Sequence, residues 1–127
     1  MSLDIGSITN TMIDGVRAAI GDRWPAIHAV AEPELRKLAQ TLEDTRQQYA
    51  EGKITADRAI QLVSMQRNLA LSVVLAVEGL GVATAREAIN AAARAAGKVV
   101  NRLVGFNLIE SSPSSHVKAK FKAGKDI

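Results

Sequence analysis

TADRAIQLVSMQRNLALSVVLAVEGLGVATAREAINAAARAAGKVVNRLVGFNLI, residues 55–109, decides the fold, because it holds no proline and repeats apolar residues at helical spacing throughout. Its stripe runs Ile60, Val63, Ala70, Leu71, Val74, Gly81, Val82, Ala85, Ala88, Ile89, Ala92, Ala96, Val99, Val100 and Leu103. The pattern predicts one very long helix over 55–109, roughly 80 Å if straight at about 1.5 Å per residue. Gly79, Gly81, Gly97 and Gly105 are the points where it would bend or end early, since glycine costs about 1 kcal/mol relative to alanine inside a helix.

Upstream, Glu51-Gly52-Lys53-Ile54-Thr55 reads as a tight turn between two antiparallel helices, with the Thr55 hydroxyl capping the second. The preceding helix is expected over 33–51, opened by Pro33 in its first turn and stopped by Gly52. Its buried stripe is Leu35, Leu38, Leu42 and Tyr49. Asp22-Arg23-Trp24-Pro25 reads as a connector, because proline disfavours helical geometry in the residue before it, and a short helical turn over 26–31 would follow. At the N-terminal end, Ile5, Ile8, Met12, Val16 and Ala19 mark an amphipathic helix over 4–20 that stops at Gly21. The fold class expected is therefore all-α: an antiparallel helical hairpin or bundle with an N-terminal amphipathic helix, a very long third helix and an extended basic C-terminal tail. Residues 1–110 form the helical domain, and residues 111–127 form a Ser/Pro linker and Lys-rich tail.

A helix over 33–51 spans only about 30 Å, less than half its neighbour, so it cannot cover the long helix alone. The first helix could cover part of the remainder by extending the antiparallel layer, or it could fold back beside the second helix, in which case other subunits must bury the rest. The small side chains between Gly79 and Gly97 suit a close helix-to-helix seam better than a ligand pocket. The expected oligomer interface comprises Ala70, Val74, Glu78, Gly81, Ala85, Ala88, Ala92 and Ala96, together with Arg67. Arg67 and Glu78 lie near one face but about 16 Å apart along the axis, so each needs a partner elsewhere, and pairing between subunits would set the register.

Charge is distributed unevenly. Residues 1–54 carry six basic and eight acidic side chains, residues 55–109 six and three, and residues 110–127 four and two. Such asymmetry points to an anionic partner, or to head-to-tail contact between identical subunits. Arg94, Lys98 and Arg102 form a ridge at four-residue steps, and the tail alternates Lys118, Lys120 and Lys122 with apolar residues before Lys125. These residues are the candidate contacts for nucleic-acid phosphates.

Little in the sequence bears catalytic chemistry. The chain has no cysteine, its two histidines fit no zinc pattern, and no phosphate-binding glycine loop or nucleophile elbow occurs. His28 and Glu32 stand one turn apart, but no second pair of metal ligands accompanies them. No enzyme activity, cofactor or metal is expected. Residues 68–85 hold one charge, Glu78, and approach the length needed to cross a bilayer, yet a central acidic residue costs about 2.5–3.5 kcal/mol there. The N-terminal residues lack the basic and apolar regions of a signal peptide, which suggests the cytoplasm or the interior of a virion. The function expected first is a structural subunit that self-associates, plausibly in a phage or virus particle, with itself and other subunits as partners. A nucleic-acid-binding module is the alternative, and a membrane-active oligomer centred on residues 69–85 is the third reading.

Overall fold

The computed structural model describes residues 2–110, and these are all-helical, without a strand among them. The elements are α1 (Ile5–Ile20), α2 (Trp24–Ala50), α3 (Ala56–Leu75) and α4 (Val82–Val104), with a short 3₁₀ turn at Gly21–Arg23. α1 packs on α4 and α2, α2 on α3, and α3 on α4, around one core.

The single long helix expected over 55–109 is not found: it is divided into α3 and α4 by residues 76–81. Gly79 and Gly81 adopt φ of +81° and +87°, a backbone region that side-chain-bearing residues rarely enter, so the chain reverses there. This reversal removes the length mismatch, because α3 at 20 residues is shorter than α2 at 27, and α4 folds back onto α1. Gly97, by contrast, continues the helix, and the true end is Gly105 in the left-handed conformation.

α2 also departs from expectation, starting at Trp24 rather than at Pro33. Pro25 lies in its first turn, where the missing N–H has no partner to lose. Pro33 sits inside the helix, and both it and Ala29, whose carbonyl loses a helical bond, are exposed. Water can satisfy that carbonyl, so the proline is tolerated. The Thr55 cap is present as expected: its hydroxyl accepts from the Arg58 N–H at 3.1 Å.

Two seams dominate the core. Between α2 and α3 stand the fully buried Leu35, Leu38 and Leu42, with Val63, Ala70 and Val74 on the facing helix. Between α1 and α4 the packing is much closer, since a β-carbon placed on Gly15 would lie 2.9 Å from Ala95 Cβ and 3.1 Å from the Ala91 carbonyl oxygen. Beyond α4, Leu108 and Ile109 return to the core as a short strap. Asn101 holds the strap at two points, donating to the Ile109 carbonyl at 3.0 Å and accepting from the Ile109 N–H at 3.0 Å. Phe106 stacks edge-on against Tyr49, with ring centres 4.9 Å apart. The lysine-rich tail, with Lys118, Lys120, Lys122 and Lys125, lies outside the described residues.

Candidate interaction surfaces

The small-residue face expected as an oligomer seam is occupied within the single chain. Ala70, Val74, Ala85, Ala88, Ala92 and Ala96 are all buried by neighbouring helices, so they present no free surface to another subunit. The close approach inferred from alanine and glycine is real, but it serves α1 rather than a partner. Of the remaining residues assigned to that interface, Gly81 and Glu78 are exposed in the turn between α3 and α4. Glu78 lines a surface crevice with Asp22, Arg23, Ala26 and Leu80. Arg23 fastens this turn to the N-terminal half of the molecule, donating at 3.2 Å to both the Leu80 carbonyl and the Thr84 hydroxyl.

Arg67 finds its partners inside the chain, not across a subunit boundary. It is only 3% exposed, and its guanidinium donates to Asn90 Oδ1 at 2.9 Å and to the Glu110 carbonyl oxygen. Burial pulls its pKa down to about 10, while the Glu110 carboxylate works in the opposite direction. The group therefore remains a cation at neutral pH and ties α3 to α4 and to the end of the strap. Neither Asn90 nor Asn101 stood out in the sequence, because an asparagine within a helical pattern carries no signal that its amide faces a specific partner.

With the alanine face enclosed, a different apolar surface stands open. On α3, Met65 is 57% exposed, Leu69 58% and Val73 38%, and their spacing places them on one side of the helix. The half-buried Leu62 and the exposed Ala76 extend the same side. The stripe read from the sequence took in Ile60, Val63, Ala70, Leu71 and Val74 and left Met65, Leu69 and Val73 out, although the same spacing contains them.

The basic ridge is where the sequence placed it: Arg94, Lys98 and Arg102 are all exposed on α4. Arg94 pairs with Glu87 at 3.6 Å, which moderates the charge at one end of the ridge. Lys98 and Arg94 line a crevice that also includes Asn101, Asn107 and Glu110. Glu110, the last described residue, lies beside the ridge.

Candidate metal and membrane features give little. His28 Nε2 and Glu32 Oε2 lie 3.1 Å apart near the surface, and no cluster of three or more metal-ligating side chains exists among the described residues. No helix among those residues is long and apolar enough to cross a membrane, and the stretch 69–85 is interrupted by the turn at 76–81. In comparisons with known proteins, the chain matches no family model, no curated protein and no solved structure.

Proposed function

We propose that this chain is a non-enzymatic assembly subunit that makes its contacts through the outer face of α3. The observation that carries this reading is the exposure of Met65, Leu69 and Val73 on one side of a helix whose other side is anchored in the core. Scattered apolar residues on a surface mean little, but a contiguous row of large ones marks a place where another surface is covered. The contact face is thus moved from the alanine-rich stripe to α3. A component of a larger particle, viral or phage, is the setting implied by analogy of architecture.

The test is sedimentation of the full chain in lysate of its native source, beside Leu69→Glu. Leu69 is exposed, so the variant is expected to fold normally. The native chain should travel in a particle much larger than its own 13.5 kDa, and the variant should be released from it. A native chain that sediments at its own mass would sink the reading.

A second reading, binding to nucleic-acid phosphates, is favoured by the exposure of Arg94, Lys98 and Arg102 along one ridge of α4. Retention on DNA or RNA at low salt should fall steeply as salt rises, with a slope about one unit shallower for each phosphate contact removed by Lys98→Ala or Arg102→Ala. Absence of retention at low salt would eliminate this role.

A further inference from the structure

We infer that the strap after α4 is a latch with two states: closed, as it stands here, and open, with the helix continued through Gly105 to about Ile109. The inference is independent of what α3 contacts, and three observations carry it.

First, the two states part at a single hinge. The Gly105 N–H already donates to the Asn101 carbonyl at 3.0 Å, which is the bond a continuing helix would make. Only from the Gly105 dihedral angles onward does the chain leave the helix. Its φ is +86°, and a β-carbon placed there would meet nothing within 4 Å. Glycine populates the helical region about as readily as the left-handed one, so the hinge can turn without a clash.

Second, what holds the strap closed is tertiary, while its local sequence is compatible with helix. Residues 106–109, Phe-Asn-Leu-Ile, contain neither proline nor glycine, and the helical pattern of the sequence runs on to Ile109. Against that pattern stand the burial of Leu108 and Ile109, each 1% exposed, and the two bonds from the Asn101 amide to the Ile109 backbone. Arg67 adds a bond from α3 to the Glu110 carbonyl, and Phe106 rests on Tyr49 of α2. Continuing the helix would break these contacts together, because it carries residues 106–109 off the core along the axis of α4, lengthening that helix by about 6 Å.

Third, the strap can leave without unpairing any other backbone. Among the described residues its one backbone bond beyond the α4 cap is internal, from the Leu108 N–H to the Phe106 carbonyl at 2.9 Å. Helical bonds from residues 106–109 to the four residues before Phe106 would replace what the strap backbone gives up. The difference left between the states is the apolar surface of Leu108 and Ile109, which keeps the closed form in the majority. Opening uncovers both side chains and frees the Asn101 amide, so the latch sets at once the length of α4 and the apolar surface at its end.

The test follows amide exchange and backbone carbon chemical shifts in the full chain, for the native sequence, Gly105→Ala, Asn101→Ala and, as a control remote from the hinge, Gly6→Ala. In the native chain the Ile109 N–H should be protected at least tenfold less than the amides of Leu38 and Val63, which report the core. Gly105→Ala penalises the left-handed hinge and favours the helix, so it should lower Ile109 protection by a further tenfold or more and move the shifts of residues 106–109 toward helical values. Asn101→Ala should lower Ile109 protection by about tenfold with the hinge intact. Gly6→Ala should leave Ile109 where it is.

The latch is overturned if the native Ile109 amide exchanges only together with Leu38 and Val63, or if Gly105→Ala leaves its protection unchanged. An equal fall at Ile109, Leu38 and Val63 in Gly105→Ala would overturn it too, since the strap would then open only with the whole fold. Shifts at coil values for residues 106–109 in that variant would show a strap that frays and has no helical open state.

Discussion

The two seams of this core reach burial by opposite means. Between α2 and α3, volume is filled by Leu35, Leu38 and Leu42, each completely buried. Between α1 and α4 the backbones come close at Gly15, which leaves no room for a side chain against Ala91 and Ala95. A leucine seam is stabilised by the apolar surface it removes from water, and its weakness is the cavity left by a missing side chain. A glycine and alanine seam is stabilised by close contact over a long, smooth face, and its weakness is any added atom. The same chain should therefore respond to shortening on one side and to lengthening on the other.

Shortening Leu38 should produce the largest effect. Leu38→Ala removes a side chain with no exposure and is expected to destabilise the protein by roughly 2–5 kcal/mol, read as a fall in the denaturation midpoint at unchanged slope. A loss below about 1 kcal/mol would mean that α2 and α3 collapse readily onto the gap and that the seam is less rigidly filled than described.

The complementary change is Gly15→Ala, set beside Gly6→Ala in the same helix. At Gly6 the nearest atom to a new β-carbon is an Asp4 carboxylate oxygen at 3.7 Å, so the substitution should stabilise by up to about 1 kcal/mol through helix propensity. At Gly15 the same methyl would meet Ala95 Cβ at 2.9 Å and the Ala91 carbonyl oxygen at 3.1 Å, neither of which can swing aside. Overpacking should outweigh propensity there, for a net loss of about 1–2 kcal/mol in thermal or chemical unfolding. If both variants gain stability, α1 and α4 are not in close contact.

Which parts of this were legible in the sequence follows from the range of the forces involved. Much of the buried faces of α1 and α2 was readable because helical periodicity is local: Ile8, Met12, Val16, Leu35, Leu38 and Leu42 are buried as expected, whereas Ala19 and Tyr49, near the helix ends, are exposed. The Thr55 cap was readable for the same reason. Four glycines were marked as places to bend, but what separates Gly79 and Gly81 from Gly97 is tertiary: the turn is held by Arg23 from a distant part of the chain, and Gly97 lies under the strap. The alanine-rich face was correctly read as a close seam, yet periodicity cannot say whose helix lies across it. The periodicity left open whether the first helix or another subunit covers the remainder of the long stripe, and α1 is the helix that lies on α4. The bond from Arg67 to Asn90 spans α3 and α4 and exists only because of the reversal at 76–81.

Acid gives the smallest test, and it separates the seams without altering a core residue. Glu43 on α2 accepts from the Leu3 backbone N–H at 2.9 Å and from Arg46 at 2.7 and 3.1 Å. The hydrogen bond from Arg46 lowers its pKa more than burial raises it, and the Leu3 N–H adds to the lowering. A carboxylate with a depressed folded-state pKa contributes stability that is present above its unfolded value and is lost as pH falls through the folded one, so the loss begins near pH 4.5 and continues below it. Leu3 is buried and lines a crevice with Ile8, Val99 and Leu103, which places it over the α1 and α4 side of the core. Protonating Glu43 should therefore release the N-terminal residues and lower amide-exchange protection around Val99 and Val100 before protection around Leu38 and Val63 changes. The loss in global stability should be on the order of 1 kcal/mol, since the Glu43 carboxylate keeps its place among its hydrogen-bond donors with a side chain only 13% exposed. Glu43→Gln should flatten this acid dependence, and an unchanged profile would show that the Leu3 contact does not hold the glycine and alanine seam closed.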